Sequence, residues 1–97
     1  MRKRSKHDQY VDKLYEELSS WDFDTLKKYV KYLHGELDIY GVKDFWEYYF
    51  EVKSNSRGRP KAIDQLFRWK RHKRRKRKYK THGYIYIGDE DKLEQVF

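Results

Sequence analysis

Cysteine is absent from this 97-residue chain. Its absence removes disulfides, thiolate nucleophiles, zinc ribbons and iron–sulfur clusters from consideration. Long apolar runs are missing as well. Nothing approaches the roughly 18 consecutive apolar residues that a membrane span needs, and the Met1-Arg2-Lys3-Arg4 start lacks the apolar stretch of a signal peptide. These absences lead us to expect a soluble protein of a bacterial, archaeal or viral cytoplasm, with no membrane partner. Proline occurs once, and the four histidines show no His-x-x-x-His spacing that would make a zinc site. No internal repeat and no second domain can be found, so the chain reads as one domain over residues 1–97.

What the sequence has in excess is charge, which makes up 41% of the residues and leaves a net +8. The excess is local, because residues 67 to 80 carry ten basic side chains and no acidic one. Such a patch attracts phosphates through counterion release without reading sequence. The nucleic-acid-binding residues expected on this ground are Arg57, Arg59, Lys61, Arg68, Lys70, Arg71, Lys73, Arg74, Arg75, Lys76, Arg77 and Lys78. Arg57-Gly58-Arg59-Pro60 is similar to the core of an AT-hook, but four residues are a weak signal, and a basic loop that touches phosphates or the groove without base choice is the expectation. Ten tyrosines and three tryptophans raise the prospect of base stacking. Core packing is the expectation for Tyr29, Phe50, Phe67, Tyr84 and Tyr86, and an exposed Trp46 or Tyr48 would suit a dimer contact.

Periodicity divides the chain into elements. Ser5-x-x-Asp8 caps a first helix carrying Val11, Leu14, Tyr15 and Leu18 at helical spacing. Asp22 or Asp24 is expected to cap a second, with Leu26, Tyr29, Val30 and Leu33 as its stripe and Gly35 as its stop, so that residues 1–34 form two N-terminal helices. Residues 35–42 and 45–53 are rich in β-branched and aromatic side chains and read as a hairpin joined by Lys43-Asp44. Residues 53 to 60 form a loop, and Pro60 opens a basic helix over 60–80 that buries Ile63, Leu66 and Phe67.

The hairpin carries the chemistry. Strand side chains alternate, so Glu51 and Lys53 share a face with Phe45, Glu47 and Tyr49. Turning Leu37 and Ile39 toward the core would leave Asp38 facing those carboxylates, while Glu36 is expected to point away. Two acids with the Val52 carbonyl suit a hard cation such as Mg²⁺ or Mn²⁺, and an ammonium beside them steadies an attacking hydroxide. A solvated strand face would contain the same Glu-Val-Lys tripeptide, so the reading depends on context.

That context is an ordered set: Gly35-x-x-Asp38, Glu51-x-Lys53 followed by Ser54, and Gln65-x-x-x-Trp69 on a following helix. Together they resemble the PD-(D/E)XK nuclease superfamily, most closely its small VRR-NUC and RecB-like members, over residues 35 to 97. The resemblance implies an α/β, restriction-endonuclease-like core with a small mixed sheet and a catalytic hairpin flanked by helices. It also implies a closing strand from Gly83 and a short terminal helix within residues 83–97. The implied activity is Mg²⁺- or Mn²⁺-dependent hydrolysis of DNA phosphodiester bonds, with branched DNA or four-way junctions as substrate and a homodimer as the working form. Asp38, Glu51, Lys53 and Gln65 are the implied catalytic set, with Asp38, Glu51, Val52 and Glu17 around the metal. No proline precedes Asp38, and Trp69 stands where RecB-like members often have tyrosine. The competing class is a DNA- or RNA-binding protein without enzymatic activity that works through its 68–80 basic patch.

Overall fold

The computed structural model of the chain describes residues 5–32, 35–73 and 80–97. Helix α1 spans Lys6–Leu18, and the Ser5 hydroxyl accepts from the Asp8 N–H to cap it. Strands β1 (Thr25–Tyr32), β2 (Gly35–Lys43) and β3 (Trp46–Lys53) follow as an antiparallel meander. Helix α2, Arg59–Lys73, then crosses over to β4 (Lys80–Ile87), which lies parallel to β3. A parallel neighbour cannot be reached by a tight turn, so the helix is the connection the topology needs. Strand β5 (Lys92–Gln95) closes an α/β fold whose mixed sheet has the order β1-β2-β3-β4-β5.

The helices cover opposite faces of that sheet. Val11, Leu14 and Leu18 of α1 pack on Ile39, Phe50, Val52 and Tyr86. Ala62, Leu66 and Trp69 of α2 pack on Leu37, Tyr49, Ile85 and Ile87. Alternation along β3 and β4 serves both layers, because Tyr49 and Ile85 face α2 while Phe50 and Tyr86 face α1.

Four expectations about elements need correction. The expected second helix is strand β1. Leu26, Tyr29 and Val30 match helical spacing only because Tyr29 adopts a left-handed conformation (φ 54°) that resets the alternation. Leu26 and Tyr29 therefore pack toward α1 while Val30 and Tyr32 pack toward α2. The two positions linking the hairpin are Asp44 and Phe45, one later than expected. Both have positive φ (52° and 67°), the pair of left-handed residues that a type I′ turn requires. The expected terminal helix is a single 3₁₀ turn, Gly88–Glu90, followed by Asp91 in a left-handed conformation and then β5. Phe97 completes this edge by accepting the Gly83 N–H at 3.0 Å. The basic helix ends its described course at Lys73, and β4 starts at Lys80 rather than near Gly83.

Candidate active site

Between β2 and β3 the ladder runs from Lys43↔Trp46 to Ile39↔Phe50 and stops there. Beyond it the Asp38 carboxylate replaces the missing backbone partner, accepting the Val52 N–H at 2.8 Å. The alternation of β2 resets at the same place. Leu37 packs toward α2 and Ile39 toward α1, so the expected common direction of these two residues is corrected. Asp38 reaches Glu51 because the strands part, not because its neighbours share a face.

The parted strands open a cleft of about 300 Å³. Asp38 and Glu36 line it from β2, Glu51 and Lys53 from β3, Lys61 and Gln65 from α2, and His7 from α1. Four residues expected to act together, Asp38, Glu51, Lys53 and Gln65, thus border one space. Glu36 belongs to it too, contrary to expectation. It lines the same space as Asp38, from the end of β2 that precedes the reset.

Two glycines set the walls. A Cβ at Gly35 would lie 2.7 Å from the Gln65 Nε2, so only a bare Cα lets the amide come this close. A Cβ at Gly58 would lie 2.8 Å from the Lys53 Cδ. The Ser56–Gly58 turn therefore packs on the aliphatic stem of Lys53 and directs its ammonium.

Charge is distributed unequally within the cleft. Burial pushes the Glu51 carboxyl up to about 10, and the nearby Asp38 charge and the hydrogen bond between the two carboxyls add to the rise. Burial acts in the same direction on Asp38, but hydrogen bonds from His7, Glu51 and the Val52 N–H outweigh it and hold Asp38 below its ordinary value. Glu51 is 3% exposed, and its buried Oε1 has no hydrogen-bond partner among the described residues. A buried carboxylate oxygen without a donor is costly.

His7 is the residue that sequence reasoning missed. Its Nε2 lies 3.3 Å from Asp38 Oδ2, and the hydrogen bond to Asp38 raises its pKa. Metal-site spacings gave no signal, because His7 meets Asp38 only through tertiary packing. The hydroxyl of Tyr29, in the left-handed position of β1, donates to Asp8 at 2.8 Å and fixes the first turn of α1 there.

Other expected residues lie elsewhere. Glu17 is exposed on α1, ten residues beyond His7, or about 15 Å along the helix axis. It does not line the cleft, which corrects its place in the metal set. Val52 contributes its N–H to Asp38, and its side chain is in the core. Among the described residues no group of three or more histidine, aspartate or glutamate side chains is arranged as a ready metal cage. Arg59 is engaged by Glu94 of β5 through two bonds of 2.9 and 2.6 Å, which sets it apart from the exposed Arg57, Lys61, Arg68 and Arg71. Lys70 lies over the Phe97 ring at 4.4 Å. Lys73 is the last residue of α2, and Arg74, Arg75, Lys76, Arg77 and Lys78 lie outside the described residues.

In comparisons with known proteins the chain matches no family model, no curated protein and no solved structure. The cleft has to be read from its own chemistry.

Proposed function

We propose that the chain is a divalent-metal-dependent phosphodiesterase acting on nucleic acid, with DNA as the substrate and the cleft between β2 and β3 as its active centre. One observation carries the reading: two carboxyl groups, a lysine and a glutamine from three separate elements border one cleft, and one carboxyl oxygen there is buried without a partner among the described residues.

The residues fit a hard cation. Asp38 and Glu51 would hold Mg²⁺ or Mn²⁺, and the unpartnered Glu51 Oε1 is the atom such an ion would satisfy. The His7 imidazole, already against Asp38, offers a nitrogen ligand beside them. When bound, the cation supplies Lewis-acid polarisation of a phosphoryl group. Lys53, with its stem held by the Ser56–Gly58 turn, brings an ammonium to the same space, where it stabilises the charge that develops as the phosphodiester is attacked. Gln65 directs its amide along Gly35 and can orient a water or the lysine by hydrogen bonding. Lys61 adds a cation on the α2 side that suits an approaching phosphate.

The ordered set Gly35, Asp38, Glu51, Lys53 and Gln65 supports placement with the PD-(D/E)XK nucleases, and an α/β core with a mixed sheet between two helices is compatible with their restriction-endonuclease-like architecture. Branched DNA cut by a pair of chains is the sharper form of the proposal. The ten basic residues between 67 and 80 support a polyanionic substrate under either the enzymatic or the binding-only reading.

The test is cleavage of supercoiled plasmid, single strands, flaps, four-way junctions and RNA under Mg²⁺ or Mn²⁺. We expect cutting of at least one DNA substrate, with Asp38→Ala and Lys53→Ala each lowering the rate by about a hundredfold or more. Binding without cutting under every metal favours the binding-only class, and cutting that survives both substitutions removes this cleft as the active centre.

A further inference from the structure

A second cavity, of about 420 Å³, opens on the α2 face of the sheet beside the cleft. Its volume is within the range that small-molecule sites occupy. Lys27, Lys31 and Tyr32 of β1, Tyr40 of β2, and Trp69 and His72 of α2 line it. The chemistry differs from that of the cleft. Three acids border the cleft, whereas no acid lines this cavity among the described residues. Among those residues neither lysine takes part in an ion pair. Arg68 and Arg71 also act on it: burial raises the pKa of the Tyr32 hydroxyl, Glu51 of the cleft adds to the rise, and these two guanidinium groups pull against it.

The aromatic rings form an angled wall. Tyr32 stands edge-on to Trp69 at 4.4 Å and tilted to His72 at 5.2 Å, and Tyr40 meets Trp69 at 6.3 Å. Trp69 is buried and gives this wall its support, while Tyr32 and Tyr40 are half-buried and His72 is exposed. Planar π-faces surrounded by unneutralised cations match one kind of ligand, a flat heterocycle attached to phosphate.

We infer that this cavity holds an unpaired nucleotide of the substrate strand, its base against Tyr32 and His72 and its phosphate toward Lys27 and Lys31. The choice of occupant rests on the nuclease reading of the cleft. The two spaces adjoin through Tyr32, whose hydroxyl lies against Gly35 on one side of its ring. Gln65 of the cleft lies against that same glycine. Along α2 the cleft residues Lys61 and Gln65 lead into Trp69 and His72, spaced so that they fall on one side of the helix. A strand bound along this side would present one phosphate to the cleft while a neighbouring base occupies the cavity. Such an arrangement would favour substrates with an unpaired segment next to the cut.

The experiment is fluorescence anisotropy with short labelled single strands of DNA and of RNA, each compared with an abasic strand of equal length, in EDTA so that nothing is cut. Wild-type protein should prefer the base-containing strand by about fivefold or more. His72→Ala and Tyr32→Leu should erase most of that preference, whereas Lys27→Ala with Lys31→Ala should weaken both strands alike. Tyr32→Phe, which removes only a hydroxyl that makes no hydrogen bond among the described residues, should keep the preference. His72 is exposed, so its substitution leaves the core intact. Equal affinity of wild type for normal and abasic strands, or a preference unchanged in both His72→Ala and Tyr32→Leu, would overturn the inference. A base preference lost on substitution, in a protein that cuts nothing under any metal, would uphold this pocket and remove the reading of the cleft. Cutting without any base preference would do the reverse.

Discussion

Asp38 and Glu51 share one cleft, yet their surroundings pull their protons in opposite directions. Glu51 has lost its water and faces a neighbouring carboxylate, so in the folded protein it keeps its proton well above the ordinary range. In the unfolded chain the same group ionises at its ordinary value. Between those two values the folded state holds the extra proton, and stability therefore falls as pH rises. Asp38 has the opposite sign: its lowered pKa contributes stability above the ordinary carboxylate value, and that contribution is lost as pH falls through the folded value. Glu51→Gln keeps the shape and removes the titration. It should raise stability near neutral pH by about 1 to 3 kcal/mol, flatten the loss toward alkaline pH and abolish cleavage. Thermal melts across pH check this, and a variant that melts lower than wild type at neutral pH with an unchanged slope would contradict it. The pair itself was legible in the sequence, because a carboxylate, a second carboxylate with a lysine two residues on, and a helical glutamine form a local pattern. His7 was not, since its link to Asp38 spans 31 positions and depends on Tyr29 holding α1 in place.

At the scale of elements, the left-handed positions explain where sequence patterning was misleading. Period-2 alternation identifies a strand only while the strand keeps one conformation. Tyr29 resets it in β1, which brings two apolar residues side by side and counterfeits a helical stripe. The α2 and α1 assignments survived because neither has such a reset, and because Ser5 and Pro60 mark their starts. β5 was missed for a different reason: four residues rich in charge hold no apolar alternation, and their strand form comes from pairing with β4. The hairpin turn gives a test of this account. Phe45 is 78% exposed with φ 67°, a conformation that costs a side-chain-bearing residue about 1 kcal/mol and glycine almost nothing. Phe45→Gly should therefore raise the melting temperature by about 4 to 8 °C without changing cleavage. A lower melting temperature would show that the ring supplies more than the backbone loses.

Across the whole molecule, the sheet is the device that brings distant charges together. Its β3 and β4 strands are buried on both faces by the two helices, and the side chains of the proposed site come from the place where β2 parts from β3. A small cleft where acids gather thus sits on a molecule whose positive charge is concentrated in the sequence of α2 and the segment after it. A polyanion is attracted by the second feature and, with a divalent cation between, tolerated by the first. That cation is the requirement on which the account stands. The most direct measurement is an anomalous difference map from crystals soaked in Mn²⁺. The account predicts a peak within coordination distance of Asp38 and Glu51, near the Glu51 Oε1, and its loss in Glu51→Gln. A map with no peak between the two carboxylates in a fully soaked crystal, or a peak unaffected by that substitution, would contradict it.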